Sequence, residues 1–262
     1  MIKAIIYILP FFFGPVQDNP LQHIRTFQTD NKEAFRADKI GSLYTYNAST
    51  IKKLTNNRAQ AMEYTDAYAG EISTIDVTDP FKILVHFSDY NSVLFLDRFL
   101  APIGDMIELD QIGIFQPVDI ASSSKEGFWI LNSQSNALEL YNNNLVKAFS
   151  SRRLNGLLKK AINNYEIIES DQYVLVYSRF EVLLFDLMGN YIKTISTSLQ
   201  GQPIIVKRTM YYIVDHKLNA YHMDYLSTQS YTLPNPDSGS VRLSADKCLI
   251  ATEKGVAIYQ LK

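Results

Sequence analysis

Short apolar runs alternate with polar turns along the chain, and one pattern returns six times: an apolar residue, a residue two places on that shares its face, then Tyr or Asp. The six are Leu43-Tyr44-Thr45-Tyr46, Leu94-Phe95-Leu96-Asp97, Leu138-Glu139-Leu140-Tyr141, Leu183-Leu184-Phe185-Asp186, Leu218-Asn219-Ala220-Tyr221 and Val256-Ala257-Ile258-Tyr259. Their last residues are 51, 44, 45, 35 and 38 positions apart, the period of a four-stranded propeller blade. Each repeat shows a second apolar run ahead of the shared segment, across a turn. Ile83–Phe87, then Ser88-Asp89-Tyr90-Asn91-Ser92, then Val93–Leu96 reads as a β-hairpin. An innermost strand comes earlier in each repeat, as in Ile72–Val77 and Pro117–Ala121, and a more charged outer strand follows, as in Leu145–Phe149 and Tyr191–Ile195. The expected fold is all-β, a β-propeller of six four-stranded blades occupying residues 17–262 as a single domain.

The sixth repeat stops at Lys262 with no outer strand of its own. The stretch His23–Thr29 reads in two ways, as that missing strand, which would tie the ends of the ring together, or as the innermost strand of the first blade. Five or seven blades also remain open. Two segments break the repeat. Asn56–Gly70 lengthens the first interval, and Leu154–Ile162, with apolar residues at i, i+3, i+4, i+7 and i+8, predicts a short helix capping one face.

Residues 1–16 read as a secretory signal segment: Lys3 precedes ten uncharged residues, Ala4–Phe13, too few to span a membrane but sufficient for a signal core. No small-x-small cleavage site follows, and a buried first strand is the other reading. Export places the protein in the periplasm or against the outer membrane, with no transmembrane span.

Composition narrows the chemistry. Lys+Arg 25 against Asp+Glu 27 gives a net charge of −2, so no overall cationic field exists to gather phosphate backbones, and nucleic acid is not an expected partner. Cys248, the one cysteine, sits in the apolar run Cys248–Ala251 and reads as a buried thiol. The chain has no His-Glu-x-x-His, no paired cysteines, no calcium-loop spacing and no Gly-rich phosphate loop, so neither a metal nor a cofactor is expected.

The recurring Tyr or Asp reads as structural, bonding a turn backbone once per blade. Asp76, Asp79 and Asp89 cluster around the second repeat and read as solvent-facing structural carboxylates rather than an acid/base pair. The candidate partner-binding residues are the basic cluster Arg152, Arg153, Lys159 and Lys160 with two aromatic loop residues, Tyr90 and Phe115. Trp129, inside a strand, reads as core.

The runs Ala37–Tyr44 and Ile72–Leu84, with its Asp-Pro-Phe-Lys-Ile-Leu block, and Leu94–Asp97 followed by Leu100 resemble a family of uncharacterised exported six-bladed propellers of NHL type from Bacteroidota. That resemblance implies a propeller in the cell envelope and supplies no catalytic residues. The functional expectation is a non-enzymatic scaffold for an envelope protein partner, peripherally associated with an outer-membrane complex. The alternative is a hydrolase, a lyase or a small-ligand or glycan binder with its site at the central channel mouth.

Overall fold

The structure, a computed structural model, describes residues 19–29, 34–55, 62–115, 117–125, 127–234 and 240–262; the signal segment expected at residues 1–16 lies outside them. The described strands form six four-stranded antiparallel sheets. Their inner strands are Phe35–Ala37, Ile72–Asp76, Asp119–Ser122, Glu166–Ser170, Ile204–Val206 and Val241–Ser244, and blades 1 to 6 are numbered in that order. Leu21–Phe27 pairs antiparallel with Gly255–Leu261 and becomes the outer strand of blade 6. Of the two readings of this stretch, the ring-closing one holds: the first strand among the described residues completes the last blade.

The middle strands of a blade are buried on both faces, which is why they read as unbroken apolar runs. In blade 2, Ile83, Val85 and Phe87 pack toward blade 1, whereas Leu84 packs toward blade 3, as the period of two along a strand requires. Six core clusters result among the described residues, one between each pair of neighbouring blades. Trp129 is fully buried between blades 3 and 4, and its indole N–H donates to Glu169 Oε2 at 2.7 Å. Cys248 is buried between blades 5 and 6, and burial pushes its thiol up to about 12.

Three expectations about strands, turns and helix need correction. In blades 2 to 6 the repeated segment lies on the third strand, but Leu43–Tyr46 is the second strand of blade 1, and Thr50–Leu54 is the third. The irregular first interval is thus a phase error; between the third-strand ends Leu54 and Leu96 it is 42 residues. Tyr and Asp also do not share one role. Asp97 Oδ1 accepts the amides of Phe99 and Ala101, and Asp186 Oδ1 those of Met188 and Asn190, as expected of turn caps. In blade 3 the cap is Asn142, one residue later, while Tyr141 is core and stacks on Phe128.

The helix predicted over Leu154–Ile162 is absent. Two 3-10 turns, Leu154–Gly156 and Ile162–Asn164, flank an irregular link. Leu154 and Ile162 still bury into the core between blades 3 and 4, so the apolar spacing reports burial without helix. The Lys159 amide, which a helix would bond to the carbonyl four residues back, instead donates to Glu181 Oε1 at 2.7 Å and to the Tyr165 hydroxyl at 3.0 Å. A buried carboxylate accepting that amide competes well with helix formation.

Candidate functional site: the central channel and its front rim

Every blade repeats the same strand order, so the six inner strands run in one direction past the axis. At the end where they begin lie the links from blade to blade and the hairpins between second and third strands; this end is the front face. The remaining turns lie on the back face.

Side chains of the inner strands, and Gln202 just ahead of one, stitch neighbouring blades together. Asp76 Oδ2 accepts the Ser122 amide at 2.9 Å, joining blade 2 to 3. Asp119 Oδ2 accepts the Ile167 amide at 2.8 Å, joining 3 to 4. The Ser170 hydroxyl exchanges bonds with both backbone groups of Ile205, joining 4 to 5. Gln202 reaches the Leu243 carbonyl, joining 5 to 6, and Ser244 exchanges bonds with Ala37, closing 6 to 1. Asp76 is therefore not the solvent-facing carboxylate expected from the sequence, whereas Asp79 and Asp89 do cap loop amides, those of Phe81 and Glu71.

The stitched strands enclose a cavity of about 420 Å³ on the axis, lined by side chains that include Arg36, Asp76, His86, Asp119, Glu166 and Tyr177. Its volume is in the range of small-molecule sites. Burial, followed by the charges of Glu166 and Asp76, pushes the Asp119 carboxyl up to about 7 against the pull of its two amide donors. Burial holds His86 down at about 4, so its imidazole is neutral. Glu166 is exposed to the channel, with the Tyr177 hydroxyl donating to its Oε2 at 2.8 Å. Among the described residues no group of three or more His, Cys, Asp or Glu could hold a metal ion.

All six residues singled out from the sequence lie on the front face, along an arc from blade 2 to blade 4. Tyr90 is 63% exposed in the blade 2 hairpin, and Phe115 is 50% exposed on the link from blade 2 to 3. The two loops are joined by Asn91, whose Nδ2 donates to the Ile114 carbonyl at 2.8 Å. Arg152, Arg153, Lys159 and Lys160 are exposed on the link from blade 3 to 4. Lys159 is partly committed inward, bonding Ser196 Oγ at 2.7 Å and approaching Glu181 Oε2 at 3.8 Å. Lys160 lies over the Phe180 ring at 5.6 Å.

Sequence reasoning missed Tyr68, 92% exposed on the link from blade 1 to 2, close in the chain to Gly70, which abuts the Tyr90 ring. Its signal was present: Asp66-Ala67-Tyr68-Ala69-Gly70 is an aromatic in a turn. The charged channel residues carried no signal, because Arg36, Asp119 and Glu166 are scattered over more than a hundred positions. The back face also exposes apolar side chains on its turns, among them Phe81, Met188 and Tyr225.

No protein-family model and no curated protein matches the chain. Solved structures do, as folds. A Bacteroides thetaiotaomicron protein of unknown function superposes with a TM-score of 0.61 at 8% identity, covering 92% of this chain and 72% of that one. A catalytically inactive virginiamycin B lyase from Staphylococcus aureus with quinupristin gives 0.58 at 13% identity, covering 89% and 83%. BBS1N in complex with ARL6DN gives 0.54 at 13% identity, covering 84% and 75%. The chain shares the propeller fold with an enzyme and with a partner-binding protein, and at these identities the likeness shows the fold alone.

Proposed function

We propose that this chain is a non-enzymatic propeller scaffold that docks a protein partner of the cell envelope on its front face. The observation carrying this reading is the arc itself: Tyr90, Phe115 and the cations of the link from blade 3 to 4, separated by more than sixty residues in sequence, share one rim on a rigid ring. Exposed aromatics and arginines on scaffold loops are the groups in which interface energy concentrates. Among the described residues no helix is long and apolar enough to cross a membrane. Export through residues 1–16 would deliver the ring to the periplasm, where it could attach peripherally to an outer-membrane complex.

Affinity capture of the tagged protein from its own envelope fraction, compared with an Arg152→Glu, Arg153→Glu variant, tests the reading. A stoichiometric partner held by the parent and lost from a variant that melts at the same temperature supports it. Retention of the partner by the variant removes the basic cluster from the interface.

A second reading, a ligand site or a hydrolase or lyase at the channel mouth, draws support from the cavity, whose wall presents Arg36 and Glu166 as ionisable groups. Among the lining carboxylates Glu166 is the one left for chemistry, because both oxygens of Asp76 and of Asp119 are engaged with backbone amides.

A further inference from the structure

The inner strands of blades 1 and 4 stand on opposite sides of a six-membered ring, so Arg36 and Glu166 come to the channel from opposite walls. Both line the cavity. No salt bridge within 4.0 Å joins Arg36 to an acidic side chain among the described residues; its Nη1 donates to its neighbour's carbonyl, Phe35 O, at 3.1 Å. Two opposite charges held on rigid strands thus line one shared cavity. Arg242 on the adjacent blade 6 lies over the Phe35 ring at 5.3 Å, and its guanidinium is held below its ordinary value by burial and then by Arg36.

A third ionisable side chain sits in the same wall. His86 lines the same cavity and is 9% exposed, and its Nε2 has no hydrogen-bond partner. The Ser73 hydroxyl lies 2.9 Å from His86 Nδ1 and 3.0 Å from the His86 carbonyl oxygen. One hydroxyl proton satisfies both contacts only if it goes to the carbonyl and Nδ1–H donates to the hydroxyl oxygen. Nε2 then carries a lone pair, a buried acceptor without a donor, which is costly unless something supplies one.

We infer that the channel binds a small zwitterion of dipeptide size, its ammonium on Glu166 and its carboxylate on Arg36. A zwitterion neutralises both walls at once, whereas a simple anion or cation leaves one opposed. The Tyr177 hydroxyl fixes the Glu166 carboxylate, so the site is organised before the ligand arrives.

Isothermal titration calorimetry with L-alanyl-L-alanine tests this, using its N-acetylated and C-amidated forms as controls. The expected result is saturable one-site binding of the free dipeptide that weakens about tenfold or more with either blocked form and with Glu166→Gln. The Glu166→Gln change lies at an exposed channel position; should it nonetheless disturb folding, the two blocked peptides carry the test on the parent protein. Absence of saturable binding, or equal binding of free and blocked peptides, overturns the inference. Partner docking at the rim is independent, so the Arg152→Glu, Arg153→Glu variant keeps its dipeptide affinity.

Discussion

Phe27 and Gly255 meet at the seam of the ring: a Cβ on residue 255 would stand 2.0 Å from the Phe27 carbonyl oxygen, and Gly255 holds φ at +129°. The strand that closes blade 6 thus passes too near its partner for any residue but glycine. Gly255→Ala is expected to destabilise by about 3 kcal/mol or more, from backbone strain and overpacking together. Gly41→Ala is the control, at φ +89° with open space around it, where backbone strain alone costs ~1–2 kcal/mol. Urea denaturation midpoints of the two variants give the comparison; equal losses would mean that the seam is not tightly closed.

Trp129 joins blades 3 and 4 by its area and by its bond to Glu169. Trp129→Ala is expected to cost ~3–5 kcal/mol, and Trp129→Phe a smaller ~1–3 kcal/mol that reflects the lost donor to a buried carboxylate. Glu169 keeps the Ser124 amide at 2.9 Å, so the Phe variant folds. Denaturant titration of both variants checks the order.

Asp119 makes stability depend on pH in a definite sense. Its folded value of about 7 lies above the ordinary 3.8, so the folded state holds a proton that the unfolded chain has released. The stabilising contribution is complete below 3.8 and is lost as pH rises through about 7. Asp119→Asn cannot titrate, and the stability difference, parent minus variant, is therefore expected to fall across that window. His86 works in the other direction, its contribution being lost as pH falls from 6.5 to about 4, but it is present in both proteins and cancels. A difference that stays flat or rises with pH would contradict the assignment.

The fold was largely legible because burial on both faces of the middle strands writes apolar runs directly into the sequence, and the period of those runs is the blade. The errors have physical causes. Leu43–Tyr46 imitates a third strand because any doubly buried strand has the same composition. Leu154, Leu158 and Ile162 keep helical spacing because an irregular link can bury three side chains in one core as readily as a helix does, and Glu181 took the amide that would have extended it. The exposure of Tyr90 and Phe115 could be read because each is an aromatic on a loop between apolar runs. Arg36 and Glu166 could not, since a charge on an inner strand becomes a site only when ring closure sets it opposite another.

The central claim is that a partner engages the front face, and site-specific photocrosslinking tests it most directly. A benzophenone amino acid is placed at Tyr90 on the front face or at Tyr225 on the back face, both exposed, and the protein is irradiated in its own envelope fraction. The account predicts a discrete crosslinked species from position 90, abolished by Arg152→Glu with Arg153→Glu, and none from position 225. A species formed from 225 and absent from 90 would contradict it.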